Sequence, residues 1–133
     1  MAAKHDTHNT GNIGLHFACY QLAKEGWNVM PTARNARGVD ILANDKKGRA
    51  ISIQVKTLSG RDPVNIKAVE TLAANFLIVV MNARVEEPAR PDCYVLTVDE
   101  ARKIIRPHET RPWIPVKSLQ PHRDKWNVLG VPA

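Results

Sequence analysis

The stretch from Val39 to Thr57 constrains this chain most. Two strand-like runs, Val39–Ala43 and Ala50–Thr57, flank the segment Asn44-Asp45-Lys46-Lys47-Gly48-Arg49. A loop made of Lys46, Lys47 and Gly48 puts the glycine where a positive φ is needed. That register pairs Asp45 with Arg49, Ala43 with Ile51 and Asp40 with Gln54. Side chains alternate along a strand, so Ile51, Ile53 and Val55 face one way and Ser52, Gln54 and Lys56 the other. Asp40, Gln54 and Lys56 are therefore expected on one polar face. A slip of one residue would scatter them and expose the apolar set.

Around this hairpin the pattern alternates between helix and strand. Leu15, Ala18, Cys19 and Leu22 recur at helical spacing, which predicts a helix over Gly11–Glu25 ended by Gly26. A strand is expected at Trp27–Met30, closed by Pro31, then the hairpin, then a short helix over Val64–Leu72. Phe76–Met81 and Tyr94–Leu96 read as buried strands. Thr97-Val98-Asp99-Glu100 has capping-box spacing, so a helix should run from Val98 to about Ile105. Arg106–Ala133 holds five of the nine prolines and reads as irregular structure ending in a short helix near Arg123–Leu129. The expected architecture is an α/β, three-layer α/β/α sandwich with a mixed central sheet of four to five strands. Residues 1–10 form a polar tail, and residues 11–133 a single domain.

Length suits one core: 133 residues fall within the range of a single domain. The longest apolar run, Phe76–Met81, is too short to span a bilayer. Cys19 and Cys93 are not in a CxxC spacing. Reduced thiols and a cytoplasmic protein are the expectation. Lys and Arg exceed Asp and Glu by 19 to 13, which favours contact with polyanions. Arg34, Arg37, Lys46, Lys47, Arg49, Lys56, Arg61 and Lys67 crowd into the segment that also carries the polar face. The remaining polar and aromatic signals carry less: the histidines have no metal-ligand spacing, Ser52 has no paired base, and the tryptophans read as core or lid plugs.

Asp40, followed after the hairpin turn by Gln54-Val55-Lys56, resembles the motif of the PD-(D/E)xK nuclease superfamily, the restriction-endonuclease-like proteins. Gly11 and Gly14 at the helix start, with Gly26-Trp27-Asn28-Val29 after it, are similar to small Holliday-junction resolvase-like members. The resemblance implies a metal-dependent endonuclease that hydrolyses DNA phosphodiester bonds in branched or restriction-type substrates. It implies Asp40 and Gln54 as ligands of Mg²⁺ (or Mn²⁺) and Lys56 as the residue that orients water or stabilises charge. Arg34, Arg37, Lys46 and Lys47 are the candidate phosphate contacts, DNA the partner, and a homodimer the expected assembly. Two positions depart from the family pattern. Gln54 stands where an acid is usual, and Leu15 stands where the first helix often supplies a glutamate. Glu70, Glu25 and Asp6 are the acids that could replace it from another direction. The alternative is a catalytically inactive nuclease-fold module that binds DNA or a protein partner.

Overall fold

Helix α1 occupies Thr7–Glu25, so it starts inside the stretch expected to be tail. The computed structural model describes residues 7–32, 38–66, 72–107 and 111–133. Ala18 and Leu22 of the predicted stripe are fully buried, and Leu15 and Cys19 pack against the same core. Gly26, at φ +105°, ends the helix. Its amide and that of Trp27 donate back to Ala23 and Leu22 at 3.0 and 3.1 Å, satisfying carbonyls the helix leaves open.

Strands β1 (Asn28–Pro31), β2 (Ile41–Asn44) and β3 (Ala50–Thr57) form an antiparallel meander in which Ala43 faces both Val29 and Ile51. Strand β5 (Phe76–Met81) lies parallel to β3, and β6 (Asp92–Thr97) runs antiparallel to β5. The result is the expected mixed sheet, in the order β1-β2-β3-β5-β6.

Alternation then sorts the strands into two cores. Ile41, Ile53, Ile78, Val80 and Val95 pack under α1, while Leu77, Val79, Met81, Tyr94 and Leu96 pack on the other side. That second side is covered by α2 (Val98–Ile104), α3 (Val116–Leu119) and a two-stranded ladder. The capping box is made as its spacing predicts, with Thr97 and Glu100 each bonding the other's backbone amide at 2.9–3.0 Å.

Two expectations need correction. Val64 and Asn65 are not helical but form strand β4, paired with β7 (Trp113–Ile114). Residues 67–71, the rest of that expected helix, lie outside the described residues. The proline-rich tail is more ordered than its composition suggests: besides β7 and α3 it forms 3-10 turns at Gln120–His122 and Trp126–Leu129.

The hairpin turn forms in the predicted register. Asp45 N donates to Arg49 O at 3.0 Å, and Gly48 has φ +86°. Asp45 organises the turn by accepting from the amides of Lys47 and Arg49, each at 2.9 Å, and of Ala133 at 3.3 Å. Desolvation raises the Asp45 pKa, but the backbone donors Arg49, Ala133 and Lys47, with the Arg49 charge, outweigh it and hold the carboxyl below its usual value. A depressed folded pKa gives stability that is present above the unfolded value, about 3.9, and lost as pH falls through the folded one. Between pH 5 and pH 2 the melting temperature of wild type is therefore expected to fall more steeply than that of Asp45→Asn. Parallel curves in thermal melts followed by circular dichroism would contradict this assignment.

Candidate nuclease site

The predicted pairing of β2 with β3 holds as far as Ile41 opposite Ile53 and then breaks. Asp40 N also donates to Ile53 O, at 2.9 Å, so two consecutive residues of one strand face a single residue of the other. This is a β-bulge, and a bulge bends its strand and re-aims a side chain. Thr32 secures the departing chain, donating from its amide to Asp40 O at 2.9 Å and from its hydroxyl to Val39 O at 2.5 Å. Asp40 is therefore not the cross-strand partner of Gln54 that straight extrapolation gives. Its carboxylate instead reaches further along β3, where Oδ2 accepts from Val55 N at 2.7 Å. The amide that β2 abandons is thus satisfied by the side chain whose position the bulge sets.

Past this point β3 continues, among the described residues, beside β5 alone, leaving a cleft of about 270 Å³ where the hairpin strands part. Asp40, Val55, Lys56 and Thr57 line it from the sheet, and Gly11, Asn12 and Leu15 from α1. The helix can come this close because residue 14 is glycine: a β-carbon there would sit 2.6 Å from Thr57 Cβ. Asp40 and Lys56, predicted on one face, both line this cleft.

Gln54 does not line the cleft: level with Leu77, its side chain lies on the second-core face of β3, away from α1. It is only 8% exposed, and its Oε1 has no hydrogen-bond partner among the described residues. A buried amide oxygen without a donor costs on the order of 1–3 kcal/mol. Such an atom is suited to a cation or an ordered water.

Leu15 forms an apolar part of the cleft wall at the position where the resemblance implies an acid. Glu25 lies at the far end of α1, roughly 15 Å away at 1.5 Å per residue, and cannot stand in for it. Asp6 and Glu70 lie outside the described residues, as do Arg34 and Arg37. Lys46 and Lys47 sit in the hairpin turn at the opposite end of β3, roughly 25–30 Å along the strand from Lys56. Among the described residues no three His, Cys, Asp or Glu side chains gather to hold a metal. The Asp40 carboxylate is a hard oxygen donor lining the cleft. It fits Mg²⁺ or Mn²⁺ held largely by water and substrate phosphate.

One cluster at the same end of the sheet escaped sequence reasoning. Asp92, 7% exposed at the start of β6, binds Arg61 at 2.7 Å, Arg123 at 3.0 Å and Asn82 at 3.2 Å. Each arginine is 31 positions from Asp92, so no local pattern announces the contact.

The order of the five-stranded sheet and its flanking helices give a fold similar to that of two solved structures. The bacterial homing endonuclease I-Ssp6803I superposes with a TM-score of 0.65 at 15% identity, over 94% of this chain and 93% of that one. Hjc, a Holliday junction resolvase from the archaeal hyperthermophile Archaeoglobus fulgidus, superposes with a TM-score of 0.61 at 18% identity, over 90% and 93%. No protein-family model matches the sequence, and neither does any curated protein. Among the described residues no helix is long and apolar enough to cross a membrane.

Proposed function

We propose that this protein is a metal-dependent endonuclease that hydrolyses DNA phosphodiester bonds at the Asp40–Lys56 cleft. The observation that supports this reading is that Asp40 and Lys56 both line one open space at the parting of the hairpin. Asp40 would hold Mg²⁺ or Mn²⁺, and such an ion, when bound, neutralises charge on a phosphate oxygen and favours a nucleophilic water. Val55 N fixes one carboxylate oxygen of Asp40, so the carboxylate is oriented before substrate arrives. Lys56 supplies positive charge where negative charge accumulates on the phosphorus oxygens during attack. Both neighbouring folds are nucleases by name, an endonuclease and a junction resolvase, which agrees with this reading.

The test is incubation of the purified protein with supercoiled plasmid, single-stranded DNA and four-way junctions in Mg²⁺, Mn²⁺ or EDTA. Cleavage of at least one substrate is expected with either ion and none with EDTA. DNA binding without cleavage under every ion would instead establish a non-catalytic module. That second reading is favoured by Leu15 in the cleft wall and by the lack of a three-acid cluster among the described residues.

A further inference from the structure

The Arg61–Asp92–Arg123 cluster lies at the same end of the sheet as the cleft, and none of the three residues lines it. Thr57 of the cleft is level with Val80 on β5 and, through it, with Cys93 on β6. Asp92 is one row beyond and two strands across, roughly 10 Å to the side at about 4.8 Å per strand. Arg61 follows Thr57 by four residues in the chain. The amide of Asn82 donates to Gly60 O at 3.1 Å and ties this loop to the end of β5.

The cluster is built to hold two cations still while leaving them open to solvent. The Asp92 carboxylate is buried, yet the arginine side chains it grips are 51% and 48% exposed. Each guanidinium carries five N–H donors in a rigid fork. Arg61 and Arg123 each spend only Nη2 on Asp92. Asp124 approaches Arg123 Nε at 4.0 Å and is itself 64% exposed, so it offsets part of the charge on one side only. Planar donors held in advance bind phosphate with little loss of side-chain freedom, which is where arginine exceeds lysine.

We infer that Arg61 and Arg123, braced by Asp92, form a clamp for the DNA backbone beside the cutting site. At 3.4 Å of rise per nucleotide, 10 Å corresponds to about three nucleotides from the scissile phosphate. This assignment rests on DNA being the ligand, as proposed above.

Binding to a DNA duplex is measured in EDTA as a function of salt for wild type, Arg61→Gln, Arg123→Gln and the double variant, with melting temperatures alongside. Each phosphate contact contributes about 0.9 to the slope of log affinity against log salt. The slope should therefore flatten by about 0.9 in each single variant and about 1.8 in the double, equally for unrelated sequences. A folded double variant with the wild-type slope would overturn the clamp and leave the arginines as counterions of Asp92. Should the double variant not fold, neutral methylphosphonate linkages scanned along the DNA decide with wild-type protein. Weakened binding is expected for linkages about three nucleotides from the cut, and indifference there overturns the clamp. Absence of cleavage in Mg²⁺ with the slopes changed as expected would remove the catalytic reading and leave the clamp standing.

Discussion

Asp40→Asn is expected to slow DNA cleavage on the order of a thousandfold, about 4 kcal/mol of transition-state stabilisation. The amide keeps an oxygen that can accept from Val55 N, so the bulge and the parting of the strands should survive. What it loses is the negative charge needed to hold a divalent cation in a site with one carboxylate. The melting temperature should stay within about 3 °C of wild type. Asp40→Ala should be equally inactive but less stable, because the Val55 amide then loses its acceptor at a cost of about 1–3 kcal/mol. For a domain of this size that is roughly 4–10 °C. The pair of variants separates chemistry from folding: steady-state cleavage rates and melting curves should diverge between them. Unimpaired cleavage by Asp40→Asn would remove this cleft as the catalytic site.

The second large effect concerns two glycines on one helix face that should respond with opposite sign. Alanine is favoured over glycine within a helix by about 1 kcal/mol. At Gly11 nothing lies within 4 Å of the position a β-carbon would take, so Gly11→Ala should be neutral or stabilising by up to about that amount. At Gly14 the same carbon would enter the Thr57 side chain, 2.6 Å from Cβ and 2.5 Å from Cγ2. Ordinary carbon contacts are near 3.5–4.0 Å, so α1 must retreat by about 1 Å. Overpacking of this kind costs about 1–3 kcal/mol and outweighs the helix gain. The retreat also carries Gly11, Asn12 and Leu15 away from the sheet and widens the cleft. Misplacement by about 1 Å can cost a hundredfold in rate. Denaturant melts and cleavage rates for Gly14→Ala should both fall, and Gly14→Ala behaving like Gly11→Ala would show that the close packing of α1 on Thr57 is unimportant.

How far the sequence could be read depended on how local each feature is. The hairpin register was legible from Asp45, Gly48 and the alternation of Ile51, Ile53 and Val55, because turn chemistry and core pattern agree there. Extrapolating that register to Asp40 failed, since the bulge depends on Thr32 holding Asp40 and Val39 from across β1. Asp40 and Lys56 nevertheless line one cleft, because the Asp40 carboxylate reaches Val55 by a different path. Strand β4 was missed because two residues show no period, and its identity comes from Ile114, fifty positions away. The clamp was illegible for the same reason: Arg61, Asp92 and Arg123 come from three separate loops or strand ends.

The parallel seam between β3 and β5 divides labour within the molecule. Every proposed reactive group lies on the N-terminal side of it, between α1 and Thr57, while Asp92 and Arg123 come from the strand and turn beyond it. Sliding the far half by one pleat repeat, about 6.6 Å along the strands, would move Asp92 and Arg123 at right angles to the line that joins cut and clamp, without disturbing a reacting atom. Related chains could therefore change the offset between grip and cut by altering the crossover at 58–75.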